Sequence, residues 1–471
     1  MTRTARLLVL GLAVVSAAAL AGCGRAGGPA EPPRAYVQAG ILADYDMEIR
    51  EAEPRSDGSR HVDSAATIAR LKEAHATTYF YLVYHERTDW ADLEHEFLAA
   101  AGRAGIAVWV YLVPPSECCS EPYRTDFVRW AREIAQLSLR HPNLVGWAMD
   151  DFSSNLATFT PDYTRAMHEA ARRINPDLRF FPVLYHDDYA EAFLAAYAPH
   201  FDGAIFPYTV QFDRFDELDD ALDRITARLE PFDLDLVLMI YATKMSVAPY
   251  PPSAEYVAGA LGIGLERMRR GEILGVTTYA MAKAFEREEC GFAHHLSLTV
   301  PSETATRAGD FVSASQAVRL DPDAARYSLR FFEQDSYPIG TAGYHFKQLL
   351  VDGEPIWESD VASDPALSWV ERSFDLTPHL EGKSEATIAF RLHDKKGVTN
   401  FGIRVSIAAL SATGFSVANP AFTEKTGWTL AARGPGSALY SSYVCDPDRQ
   451  RRVFEAVRDL YRHAATARPG T

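Results

Sequence analysis

The chain has 471 residues, of which 47% are hydrophobic, 11% aromatic and 23% charged, with a formal net charge of −16. That length predicts two or three folded units rather than one small domain. Acidity without a Lys/Arg stripe argues against a nucleic-acid partner, and no low-complexity tract interrupts the globular composition.

The chain opens with "MTRTARLLVLGLAVVSAAALAGCG": Arg3 and Arg6, an apolar stretch from Leu7 to Leu20, then small residues. The apolar part is too short to span a bilayer comfortably, so residues 1–22 are expected to be a targeting segment. Leu20-Ala21-Gly22-Cys23 resembles the lipobox of bacterial lipoproteins. The resemblance implies cleavage before Cys23, acylation of its thiol (palmitate among the chains), and anchoring to the extracytoplasmic side of the cell membrane. Residues 23–34, rich in Gly and Pro, read as a tether. In an exported chain Cys118, Cys119, Cys290 and Cys445 can oxidise. Pairing of Cys118 or Cys119 with Cys290 is one option, and spacing alone does not choose.

From Ala35 to about residue 300 apolar runs alternate with helix-like segments. The runs are "AYVQAGIL", "TYFYLVYH", "AVWVYLVPP", "LVGWAMDD", "RFFPVLYH", "FDGAIFPYT", "LDLVLMIYATK" and "ILGVTTYAMAK". Between them lie segments such as "DWADLEHEFLAAAGRAG", "TDFVRWAREIAQLSLRH", "PDYTRAMHEAARRINP" and "SAEYVAGALGIGLERMRRG". Thr160-Pro161 supplies a helix cap followed by proline at the first helical position. Eight such strands predict an α/β fold, a (β/α)8 TIM barrel over 35–300, with apolar strands covered by helices. A doubly wound sheet would carry a Gly-rich first turn, and none is present.

After Pro301 the pattern changes to period two in "RYSLRFFEQD", "EATIAFRLHDK" and "FGIRVSIAALSA". This predicts an antiparallel β-sandwich over 301–415, and it resembles the jelly-roll modules appended to many carbohydrate-active enzymes. Residues 416–471 end in a helix from about Pro447 to Ala464, capped by Asp446 and Pro447. Val453, Phe454, Val457, Leu460, Tyr461 and Ala464 share one face and predict packing against a domain.

In a barrel of this kind chemistry sits at the carboxyl ends of the strands. Those ends offer Asp44 and Asp46; Tyr84, His85 and Glu86; Tyr111 and Glu117; Asp150 and Asp151. The later strands add Tyr185, His186, Asp187 and Asp188; Tyr208; Tyr241 and Lys244; Tyr279 and Lys283. Tyrosines suit sugars, stacking on a pyranose face while the hydroxyl bonds to the sugar. Glu86, Tyr84, Tyr111, Tyr185, His186, Asp187, Tyr208, Tyr241 and Tyr279 are therefore expected at the substrate; the alternative is that the tyrosines fill the barrel. Asp150 and Asp151 are the expected catalytic pair, since two shielded carboxylates cannot both ionise easily. The competing reading has Asp151 bonding the loop amides of "DDFSSN".

Tandem aspartates at the end of strand 4 resemble the pair of the O-GlcNAcase family of glycoside hydrolases, and chitinase-type barrels place their acid at the same strand end. The resemblance implies a substrate whose own N-acetyl group attacks. Asp150 would then be the charged partner, Asp151 the proton donor, and Tyr185 an assistant. Strand 7 runs into "YATKMSV", which has no carboxylate for a two-acid retaining mechanism. No HxH pair, GxSxG elbow or phosphate loop occurs, so no metal, cofactor or nucleotide is expected. His85 with Glu86, or His186 with Asp187, are the nearest approach to metal ligands. The expected function is O-glycosyl bond hydrolysis on a polysaccharide or glycoconjugate at the cell surface. The rival is a non-catalytic glycan-binding or scaffolding lipoprotein on the same barrel.

Overall fold

The computed structural model describes residues 40–210, 214–244, 251–288, 291–301, 304–336, 341–364, 368–399, 401–442 and 446–466. The targeting segment, the expected lipidation site Cys23, the tether, residues 35–39, Cys290 and Cys445 lie outside the described residues. No helix among the described residues is long and apolar enough to cross a membrane.

The first eight strands are β1 (Ile41–Tyr45), β2 (Thr78–Leu82), β3 (Ala107–Leu112), β4 (Leu144–Met149), β5 (Arg179–Pro182), β6 (Gly203–Pro207), β7 (Asp235–Tyr241) and β8 (Gly275–Tyr279). They form one parallel sheet in the order β5-β4-β3-β2-β1-β8-β7-β6. A parallel bridge between Val183 and Ile205, with the Leu184 N–H donating to Ile205 O at 3.0 Å, joins the two ends. The expected (β/α)8 barrel is thus present and closed. β1 starts six residues later than the apolar run "AYVQAGIL".

Side-chain alternation divides the barrel into two cores. Ile41, Ala43, Tyr45, Phe80, Trp109, Tyr111, Ala148, Phe181, Ile205, Val237 and Met239 cluster inside the ring. The intervening residues, among them Val108, Val110, Trp147, Met149, Phe180 and Leu238, pack outward against the helices. Gly146 lets β4 pass close under Trp109, since a Cβ there would stand 2.5 Å from the indole.

The helices are built as their sequences require. Thr160 accepts from the Tyr163 N–H and Pro161 opens the helix Pro161–Arg172, as expected. Ser253 caps Ala254–Arg269 in the same way. "DWADLEHEFLAAAGRAG" is one helical rod whose middle, Leu93–Phe97, is widened to a π-helix.

Ten further strands follow: β9 (His294–Val300), β10 (Phe311–Arg319), β11 (Ser328–Asp335), β12 (His345–Val351), β13 (Glu354–Asp360), β14 (Val370–Asp375), β15 (Glu385–Asp394), β16 (Ile403–Thr413), β17 (Thr429–Arg433) and β18 (Ser437–Ser442). They make two five-stranded antiparallel sheets, β13-β12-β15-β10-β17 and β14-β11-β16-β9-β18, around an apolar core. This is the expected sandwich. Its sheets begin before Pro301 and continue past Phe415, because β9 and β18 pair with each other and β17 pairs with β10. Within it the Lys347 ammonium is buried among Glu333, Asp335 and Asp364, donating to each at 2.8 Å.

The C-terminal helix Arg449–Thr466 returns to the barrel, not to the sandwich. It packs on Ala254–Arg269, the helix that follows β7. Its Phe454 meets Phe285 at 5.2 Å, and Arg70, from the helix Ser64–Glu73 after β1, lies over both rings. The Tyr461 hydroxyl donates to Ala43 O at 2.7 Å. The helix therefore fills the place that follows β8 in a (β/α)8 ring, and the sandwich is inserted between β8 and that last helix. Asp446 caps its start by accepting from the Asp448 N–H. Arg449, 3% exposed, pairs with Glu288 and donates to Ala242 O at 2.9 Å and Pro252 O at 3.2 Å.

Removing that guanidinium strands a carboxylate and two carbonyls. Arg449→Ala is expected to cost about 3 kcal/mol, read as a lower urea midpoint for the loss of barrel structure; an unchanged midpoint contradicts this role.

Candidate active site

The alternation that builds the inner core also selects what reaches the mouth. On β4 Ala148 faces inward, so Asp150 does too, and its N–H still bonds Leu112 O at 2.9 Å as part of the ladder. Asp151 would then point outward, but its φ of +39° turns the chain at that residue. Both carboxyl groups consequently reach the same end of the barrel.

Asp150 lies beneath tyrosines. The Tyr45 hydroxyl donates to its Oδ2 at 3.3 Å and the Asp151 N–H to its Oδ1 at 3.0 Å. Burial, then the charges of Asp151 and Glu117, push its carboxyl well above the usual range, against the pull of those two hydrogen bonds. Asp151 accepts a short hydrogen bond from the Tyr185 hydroxyl. Burial and the neighbouring Tyr241 and Asp151 keep that phenol from ionising. Glu117, whose side chain reaches solvent, is raised by partial burial and by Asp151. Burial and like charge thus raise the carboxyl of Asp150, whereas the strand-4 resemblance implied Asp151 as the proton donor.

The loop "DDFSSN" is fastened by other groups. Asn155 donates to Asp151 O at 2.9 Å and to Ser116 Oγ at 3.0 Å, and Phe152 stacks on Phe159 at 4.8 Å. Asp151's carboxylate is not the fastener, so the competing reading of that residue is corrected.

The tyrosines sort by strand parity. Tyr45, Tyr111, Tyr241 and Tyr279 continue the inward rows of β1, β3, β7 and β8 and meet around Asp150. Ring centroids are 4.2 Å apart for Tyr45–Tyr111, 5.1 Å for Tyr45–Tyr279 and 4.4 Å for the stacked Tyr241–Tyr279. Tyr111 is fully buried and its hydroxyl has no hydrogen-bond partner in the protein. Tyr208 follows Ala204 and Phe206 on the outward row of β6, and packs in the helix-facing core. It does not join the ring.

His186 lies beyond the end of β5, at the start of a 3-10 turn (His186–Asp188), with its ring 6.4 Å from that of Phe206 on the helix side. It bonds Arg224 at 3.2 Å and Asp187 at 3.3 Å, beside a groove of about 720 Å³ between the helices Glu191–Tyr197 and Leu218–Leu229. The Asp187 side chain is fully exposed. Neighbouring Asp188 is structural, accepting from Ser153 Oγ and the Tyr185 N–H. Tyr84 is 40% exposed, and Glu86 contributes its N–H to Asp89 at 2.9 Å in the turn after β2. None of these contacts connects His186, Asp187, Tyr84 or Glu86 to the carboxylate pair.

Around β1 the structure assembles groups whose relation was not read from the sequence. Asp44 and Lys283 form a fully buried ion pair, with Thr278 Oγ1 donating to Asp44 at 2.6 Å. Burial outweighs these partners and raises Asp44. Asp46 accepts from His85 Nε2 at 2.7 Å. Burial opposes its charge, but the bond and charge of His85 outweigh that and hold Asp46 below its ordinary value. Glu48, 8% exposed, is pushed up to about 7 by burial and by Asp46. His85 thus partners Asp46, not Glu86. Tyr45, which ends β1 as Tyr279 ends β8, was not among the residues expected at the substrate.

Lys244 ends the strand-7 segment in place of an acid. Burial and the charge of Arg404, from β16 of the sandwich, lower its ammonium to about 8. Cys118 and Cys119 lie side by side in the loop after β3, and the expected pairing of either with Cys290 falls outside the described residues.

Folded Asp150 holds its proton to higher pH than the unfolded side chain, so its contribution is full below the unfolded value near pH 3.9 and is lost as pH rises through the folded one. Asp150→Asn is expected to gain stability over the wild type as pH rises from about 4, by at most about 1.4 kcal/mol per pH unit. Urea unfolding at a series of pH values tests this, and a difference independent of pH contradicts it.

No family model matches the sequence, and no curated protein matches it. Among solved structures the fold is similar to a β-glucuronidase of Bacteroides uniformis, at 9% identity over 78% of this chain and 65% of that one, with a TM-score of 0.41. It is similar to a β-D-glucuronidase of Dictyoglomus thermophilum, at 16% identity over 53% of this chain and 44% of that one, TM-score 0.37. A fungal β-1,4-galactanase is similar at 10% identity over 52% of this chain and 89% of that one, TM-score 0.36. These likenesses are slight, and no function is taken from them.

Proposed function

We propose that this chain hydrolyses a glycosidic bond, with Asp150 as proton donor and Asp151 as the charged carboxylate beside it. The observation that supports the reading best is two acids in unequal surroundings at one strand end. The Asp150 carboxyl is raised by burial and like charge, while Asp151 takes a hydrogen bond from Tyr185. Glycoside hydrolysis needs such a division of labour, one carboxyl giving a proton to the leaving oxygen and a charged one steadying the reacting sugar. Tyr241 and Tyr279, both partly exposed, add aromatic faces and hydroxyls beside the pair, suited to a pyranose ring. With no acid at the end of β7, a substrate supplying its own N-acetyl nucleophile fits the site better than a second protein nucleophile.

A second reading keeps the barrel as a glycan-binding scaffold. The feature that favours it is Lys244 in the strand-7 position where a second acid would stand. Export and anchoring through Cys23 complete the proposal in either case.

Asp150→Asn is expected to lower turnover of an unactivated glycan by about 10²–10⁴-fold. It should spare a dinitrophenyl glycoside far more, because that leaving group needs no proton. Asp151→Asn is expected to slow both substrates. Equal loss on both substrates for Asp150→Asn removes it as the acid, and glycan binding without turnover by the wild type establishes the scaffold. For the anchor, Cys23→Ser is expected to move the protein from the membrane fraction to the soluble one; unchanged fractionation refutes lipidation there.

A further inference from the structure

We propose that Asp46, Glu48 and His85 form a binding site for a divalent transition-metal ion on the β1–β2 side of the barrel mouth. Each residue offers one donor atom, and the three atoms lie within 4.8 Å of one another. They come from two loops, the turn after β1 and the segment after β2. Asp46 and Met47 both adopt positive φ, 64° and 60°, and so carry the chain around between the two acids.

Glu48 is the observation that calls for a ligand. Its residue is 8% exposed, and among the described residues neither carboxylate oxygen meets a donor at hydrogen-bond geometry. Its own N–H and the Tyr79 hydroxyl, which donates to Asp46 O at 2.9 Å, stand near it. A buried carboxylate without a full set of partners is costly if charged. Lys283 and Arg50 act on Glu48 through charge without bonding it, and Arg50 Nη2 has no partner among the described residues. Lys283 is bonded to Asp44, to Asp46 O at 2.7 Å and to Met281 O at 3.3 Å, and Arg50 donates to Asp89 at 2.6 Å.

The sandwich supplies an internal comparison. Glu333, Asp335 and Asp364 make the other such cluster among the described residues. There Lys347 Nζ lies at 2.8 Å from each acid and takes the place of a cation. No ammonium or guanidinium donates to Glu48. One cluster is filled by the protein itself; the other is shaped for something added.

The donor set limits the ion. One imidazole nitrogen with two carboxylates suits zinc, manganese, iron(II) or cobalt, whereas calcium and magnesium favour all-oxygen cages. Binding places the ion between His85 Nε2 and Asp46 Oδ1 in place of the proton they share. The His85 side chain is 43% exposed, which leaves an approach from solvent and room for water ligands. The site stands independently of the glycosidase reading, since Asp150 and Asp151 are not among its ligands.

The test uses the full chain after chelator treatment, titrated with Co²⁺ and followed by its visible d–d absorption, then with Zn²⁺ by calorimetry. A single saturable equivalent per chain is expected, weakened about tenfold or more in both Glu48→Gln and His85→Asn. Glu48→Gln keeps the side-chain shape, and far-UV circular dichroism verifies that each variant is folded. Absence of saturable binding at millimolar ion overturns the proposal and leaves buried water as the partner of Glu48. Binding of equal strength in the wild type and both folded variants overturns it as well, because the ion then sits elsewhere.

Discussion

Eight parallel strands closing on one another impose a two-residue alternation, and everything at the mouth of this protein depends on it. A residue's parity on its strand decides whether its side chain meets the seven other strands or the surrounding helices. Ala148 inside means Asp150 inside, and Tyr45, Tyr111, Tyr241 and Tyr279 inside means a ring of phenols above it. The same rule sends Tyr208 outward, while His186, past the end of β5, lies beside Phe206 on the helix side. Chemistry is then decided by one local exception, the left-handed backbone of Asp151, which returns the second acid to the side of the first.

Closure itself depends on residues far apart in the chain. The barrel proper ends at β8, yet the helix that covers β8 and β1 comes from the last twenty or so described residues, across an inserted sandwich. Val453, Phe454, Val457 and Tyr461 are buried in that seam, each contributing about 1.5–3 kcal/mol by removal from water. Arg449 ties the start of the helix to the β7 side through two carbonyls and Glu288.

Buried charge is handled in three ways in this molecule. Asp44 and the sandwich acids are matched by lysines, Lys283 and Lys347, inside the protein. Asp46 is matched by a histidine at the surface of the mouth. Among the described residues no cation bonds Asp150, and burial with like charge raises its carboxyl. Groups of the first kind are structural by this measure; groups of the last two kinds keep capacity for a proton or an ion.

Hydrophobic periodicity is a local property, and it was enough to identify the barrel, its eight strands, most of the named helices, the sandwich texture and the apolar face of the final helix. It also placed Asp150, Asp151 and Tyr185 at strand ends, because the fold class alone assigns those positions to the mouth. Three things required the folded chain. The division of the tyrosines needed strand register, which sequence runs with blurred ends such as "AYVQAGIL" do not supply. The unequal surroundings of Asp150 and Asp151 needed the burial and neighbours of each carboxyl, which depend on Tyr45 from β1 and Glu117 from the loop after β3. The Asp46–Glu48–His85 cluster needed two loops brought side by side. Periodicity is written into neighbours along the chain, whereas register, desolvation and ligand geometry arise between segments tens to hundreds of residues apart, and only tertiary packing sets those distances.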